Sequence, residues 1–214
     1  MSGGHASAKP VLMQVDGLCF SYSQCALFKG WSARMVAGLT LLKGGDGRGK
    51  STLLQLLAGV LAVQAGELQV HDIRLAVAPQ IYRQQVFWDD ARVQGLDQMT
   101  SLDYCQSLQR RYPRFDLSLA HDLMEGLALG PHRDKPLYML STGSRRKVGL
   151  AGAFASGAAV TLLDDPFAAL DQASIRFVME LLQDAARHPT RAWIMACHEA
   201  PGDLSLAAIL DLGD

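Results

Sequence analysis

Two kinds of hydrophobic pattern alternate along the chain. Leu39-Thr-Leu-Leu-Lys43 and Ala158-Ala-Val-Thr-Leu-Leu163 are short, nearly all-apolar runs, as expected of parallel strands covered on both faces. Ile175, Val178, Met179 and Leu182 instead recur at i, i+3, i+4 and i+7 behind Asp171. That spacing predicts an amphipathic helix with an aspartate at its N-cap. Leu119, Leu123 and Leu127 recur every four residues behind Asp116, predicting a second capped helix. Arg191 to Ala196 reads as another strand ending just before His198, and Leu204 to Leu212 as a final element.

Strand and helix patterns alternate from Leu39 to Ala78 and again from Ala158 onward. This order predicts an α/β layer around a parallel sheet. Between the two stretches the pattern turns helical, which marks residues 83–144 as a helical sub-lobe. Residues 1–10 contain no apolar stretch of the kind a secretory signal needs and are expected to be a flexible leader, with 11–214 forming one domain.

Composition narrows the functional classes. With 20 Lys+Arg against 21 Asp+Glu among 214 residues, the formal net charge is -1, so no global positive field draws in nucleic acid. The charge-free stretch from Val148 to Leu163 is broken by Gly149, Gly152, Ser156 and Gly157 and is too short for a membrane helix. Cys19, Cys25, Cys105 and Cys197 form no C-x-x-C pair, which predicts reduced thiols in a reducing compartment such as the cytoplasm.

The strand at Leu39 runs directly into Gly44-Gly45-Asp46-Gly47-Arg48-Gly49-Lys50-Ser51-Thr52 and then Leu53-Leu54. Strand, glycine loop and helix in that order suit a phosphate site, because glycines let backbone amides approach the oxygens and the helix N-terminus favours an anion. Lys50 would reach the β- and γ-phosphates, and the Ser51 hydroxyl would face Mg²⁺. A magnesium site needs a further acid at the C-terminal end of a neighbouring strand. Asp164-Asp165 stands there after Leu163; Asp164 is expected to hold the metal and Asp165 to orient the attacking water.

From Tyr22 to His198 the order of motifs resembles the ATP-binding subunit of ABC transporters. Gly44 to Thr52 is similar to that family's Walker A, Val160 to Asp165 to its Walker B, and Leu140-Ser-Thr-Gly-Ser144 to its LSGGQ signature. Val77-Ala-Pro-Gln80 resembles the Q-loop, Ala169-Leu-Asp171 the D-loop and His198 the switch histidine. The resemblance implies a P-loop NTPase core with a parallel sheet, an N-terminal antiparallel β region and the helical sub-lobe. It implies ATP and Mg²⁺ as ligands, with Gln80 contacting the metal or the lytic water, His198 near the γ-phosphate and Tyr22 stacked on adenine. Asp171 is implied to line the nucleotide site.

Ser141 and Gly143 are implied to complete the site of a second ATPase subunit, identical or not, packed head to tail. A separate transmembrane permease is implied as well, placing the chain on the cytoplasmic face of the membrane. Arg114-Phe115-Asp116 is similar to small exporter-type subunits. Two positions depart from the family pattern: Thr142 and Ser144 replace Gly and Gln in the signature, and Asp165 stands where Glu is usual. The alternative is a soluble ABC-type ATPase or a nucleotide-gated binding module with little turnover, the second of which the shorter Asp165 favours.

Overall fold

The computed structural model describes residues 9–23, 25–89, 96–198, 202 and 204–213. Two sheets share the chain. β1 (Val11–Tyr22) and β2 (Cys25–Val36) pair antiparallel, β4 (Ala65–Val70) lies on the other edge of β1, and β5 (Ile73–Arg74) follows it, giving the order β2-β1-β4-β5. The second sheet has the order β6-β7-β8-β3-β9, with β3 (Gly38–Lys43), β6 (Val86–Trp88), β7 (Val160–Asp164), β8 (Ala192–Ala196) and β9 (Leu206–Asp211). Each pair in it is parallel. All five strands therefore end on one edge, where open parallel sheets bind their ligands.

The parallel strands carry both cores. Successive side chains alternate faces, so Leu42, Leu162 and Ile194 join one hydrophobic cluster while Leu41, Leu163 and Met195 join the other. The first cluster sits between the two sheets and takes in Leu53, Leu54, Leu56 and Leu57 of α1 (Lys50–Leu57). The second is closed by α3 (Ser101–Arg111), α4 (Leu117–Gly126), α5 (Thr142–Ala155) and α6 (Gln172–Arg187). No described helix is long and apolar enough to cross a membrane.

Helix starts follow the capping residues in the sequence. Asp116 accepts from the Leu119 amide at the head of α4, and Asp171 accepts from Ser174 at the head of α6. Ser141 caps α5 by accepting from the Ser144 amide. The helical sub-lobe, however, begins later than the hydrophobic pattern suggests. Val86–Trp88 lies inside the range 83–144 but pairs with β7 as the edge of the parallel sheet. Three residues are too few to reveal a strand by periodicity. Residues 1–8 of the expected leader lie outside the described residues.

Candidate functional site at the strand ends

Register sets the geometry. Ala196 pairs with Leu42 on one side and with Asp164 on the other. Strands repeat every ~4.8 Å, so Asp164 and Leu42 near the end of β3 lie roughly 10 Å apart across β8. From this line the chain leaves β3 into Gly44, leaves β7 into Asp165 and leaves β8 into Cys197 and His198. His198 is exposed two residues beyond Ala196. Glu199 and Ala200, which follow it, lie outside the described residues.

The glycine loop wraps onto the start of α1. Gly47 and Gly49 have φ of 76° and 89°, a region that side chains rarely enter. Gly49 is also the N-cap, with no side chain to bond the helix amides, and the first intrahelical bond comes only at Leu53, whose amide reaches the Gly49 carbonyl at 2.7 Å. The earlier amides of α1 are thus turned out of the helix end. Lys50 folds over the loop and donates to the carbonyls of Gly44 and Gly45 at 2.7 and 3.0 Å. Ser51 and Thr52 are half-buried on the first turn, while Asp46 and Arg48 are exposed. An amide cradle beside a lysine fits a polyphosphate. The hydroxyl of Ser51 and the carboxylate of Asp164 are the hard oxygen donors Mg²⁺ prefers, and Mg²⁺ uses few protein ligands besides substrate phosphates.

Asp165 is exposed, has a φ of 45°, and donates its amide to the Ala196 carbonyl at 2.8 Å. After glycine, Asp and Asn enter this left-handed region most readily. Arg146 on α5 donates through Nη1 to the carbonyls of Asp164 and Asp165, at 2.9 and 2.6 Å. Burial and, after it, the Asp165 charge push the Cys197 thiol up to about 11 against the opposing pull of Lys50. The same thiol therefore senses the loop lysine and the acid turn.

Two expected residues stand differently. Gln80, expected to face the metal or water, is the second residue of α2 (Pro79–Gln85) and is exposed. Pro79 starts this helix, since its fixed φ and missing N–H suit the first helical position. The next turn of α2 is fastened to the far end of α1: the Tyr82 hydroxyl donates to the Leu57 carbonyl and Arg83 Nε to the Gly59 carbonyl, both at 2.8 Å. That end is about 11 Å along the helix from Lys50, so Gln80 does not join the strand-end cluster.

Asp171, expected to line the nucleotide, is committed within its own chain. Oδ2 accepts from Lys147 at 2.6 Å and from the Ser174 hydroxyl at 3.1 Å, and Oδ1 accepts from the Ser174 amide. The Lys147 ammonium and the Ser174 donors hold its carboxyl well below the usual carboxylate range. Tyr22 ends β1 half-exposed, its ring set edge-on to Phe20 at 4.9 Å.

One acid escaped the sequence reading. Asp89 follows β6 as Asp164 ends β7, and it accepts a hydrogen bond from the Tyr104 hydroxyl at 2.8 Å. With Gln55, Arg146, Gly149, Asp164 and Pro166 it lines a cleft of about 570 Å³ at the edge of the sheet. Val86-Phe-Trp88 before Asp89 repeats the apolar-run-then-acid signal of β7 in a shorter form.

The sequence profile described as ABC transporter matches residues 33–168. The chain belongs to the ABC transporter family. Among curated ABC proteins it is similar to the phosphonates import ATP-binding protein PhnC of Chromohalobacter salexigens, 30% identical over 175 residues that cover 75% of this chain and 64% of that one. It is also similar to the taurine import ATP-binding protein TauB of Yersinia pestis, 26% identical over 200 residues covering 93% and 78%. The chain thus spans a little under two thirds of the first relative and more of the second. Among solved structures, an ATP-binding subunit of an ABC transporter superposes with a TM-score of 0.78 at 20% identity, covering 87% of this chain and 79% of that one. A dimeric ATP-binding cassette bound to ADP and Pi superposes at 0.72 and 17% identity, covering 88% of each. The ABC ATPase fold is common to all of them.

Proposed function

We propose that this ABC-family chain is the ATP-binding and ATP-hydrolysing subunit that powers transport of a substrate through a separate membrane permease. The convergence of Lys50, Ser51, Asp164 and Asp165 on one edge of the parallel sheet carries this reading. The first-turn amides of α1 and the Lys50 ammonium bind the β- and γ-phosphates, and Tyr22 at the end of β1 borders the nucleotide together with the exposed glycine loop. Ser51 and Asp164 hold Mg²⁺, which screens phosphate charge when bound. Asp165 orients the attacking water by accepting a hydrogen bond from it, and His198 offers a donor toward the oxygens that gain charge.

Ser141 and Gly143 lie at the N-terminal end of α5 and complete the site of a second ATPase subunit, so that ATP binding joins the pair and hydrolysis releases it. The chain works at the cytoplasmic face of the membrane. A low-turnover, nucleotide-gated reading has one observation behind it, the missing methylene of Asp165: a displacement of ~1 Å at a reacting group costs on the order of 10²-fold in rate. Magnesium-dependent ATP hydrolysis by the purified chain tests the enzymatic half. Purification from native membranes tests the other, with a polytopic partner expected to copurify and a chain recovered alone counting against transport.

A further inference from the structure

Two non-glycine residues in the segment between β7 and α6 have positive φ, Asp165 at 45° and Ala169 at 60°. Both turn their carbonyls toward α5. The Asp165 carbonyl accepts from Arg146 Nη1 at 2.6 Å. The Ala169 carbonyl lies against Gly143, where a Cβ would come within 2.3 Å of it. At the far end of the segment Lys147 is paired with Asp171 at 2.6 Å, its side chain only 12% exposed. Positions 143, 146 and 147 fall at i, i+3 and i+4 and so share one helix face. The face that begins beside Ser141 is thus laid along the whole segment that carries Asp165.

Of these contacts, only Arg146 grips the turn at the acid itself. The Asp165 amide is fastened inward to Ala196, and Arg146 fastens the carbonyls of Asp164 and Asp165 from the helix side, the latter also accepting from the Ala168 amide at 3.2 Å within the turn. With the peptides on both sides of its Cα held, the Cα–Cβ direction of Asp165 is set, and with it the region its carboxylate can reach. We propose that Arg146 is a positioning residue for ATP hydrolysis, holding the left-handed Asp165 turn against α5 and tying the direction of the acid to the helix that Ser141 heads. A shift of that helix on an anion at Ser141 then moves Asp165 as well. The inference rests on the reading of Asp165 as the water-orienting acid, but the clamp has its own signature without turnover.

Arg146→Met keeps an unbranched side chain and removes every donor, and Arg146→Lys restores a single cationic one. In the 214-residue chain we expect Arg146→Met to lower kcat by about 10- to 100-fold with KM for ATP within about twofold of wild type, and Arg146→Lys to recover part of the loss. Amide hydrogen exchange at Asp165 and Ala168 should quicken about tenfold or more in the Met variant, with the β7 and β8 core amides unchanged. Unchanged exchange at Asp165 in a folded Arg146→Met chain would overturn the clamp, as would a loss expressed wholly in KM. Absence of hydrolysis in the wild type would instead overturn the ATPase reading, and the exchange comparison would still decide the clamp.

Discussion

Gly143 and the carbonyl oxygen of Ala169 are in backbone contact, so close that no side chain fits between them: a Cβ at 143 would lie 2.3 Å from the oxygen. The obstacle is main chain and cannot swing aside. Gly143→Ala must therefore push the first turn of α5 away from the segment leading to Asp171. Overpacking of this kind costs about 1–3 kcal/mol. For a chain of this size each kcal/mol lowers Tm by about 2–4 °C; an unchanged thermal midpoint would show that the contact yields freely.

Asp165 couples a chemical requirement to a backbone one. Asp165→Asn keeps a residue suited to the left-handed turn and removes the proton acceptor, so it should leave ATP binding and Tm nearly unchanged while lowering single-turnover hydrolysis by about 10²-fold or more. Asp165→Glu adds the missing reach. It should raise turnover but lower Tm by about 2–4 °C, because Glu lacks the short polar side chain that eases this conformation. An Asn variant as fast as wild type would remove Asp165 from the chemistry.

The Lys147–Asp171 pair makes a pH prediction. Lys147 and the Ser174 donors depress the carboxyl of Asp171 in the folded chain. A depressed folded-state pKa contributes stability that is fully present above the unfolded value of about 4 and is lost as pH falls below it toward the folded value. Asp171→Asn retains a good N-cap but no charge. Wild type should therefore melt above the variant at pH 7, with the gap closing below about pH 4. A gap that widens on acidification would contradict the assignment.

Hydrophobic pattern and local capping were informative because their causes are local. The apolar runs at 39–42 and 160–163 locate β3 and β7, and Asp116 and Asp171 locate two helix starts. β6 is only three residues long and left no period to read. Val77-Ala-Pro-Gln80 resembles the Q-loop, yet its proline starts a helix, and the tethers of Tyr82 and Arg83 carry that helix to the far end of α1. Arg146 had no signal at all. Its partners are backbone carbonyls at 18 and 19 residues' separation, and a carbonyl looks the same in every sequence.

ATP hydrolysis by the purified chain with and without the Lys50 ammonium tests the central claim most directly. Lys50 is held over the loop by the Gly44 and Gly45 carbonyls, poised to exchange them for phosphate oxygens. Wild type should bind ATP and hydrolyse it in the presence of magnesium, while folded Lys50→Ala should lose measurable turnover and bind ATP at least about tenfold more weakly. Equal binding and equal turnover in the two proteins would contradict the placement of the nucleotide at these strand ends.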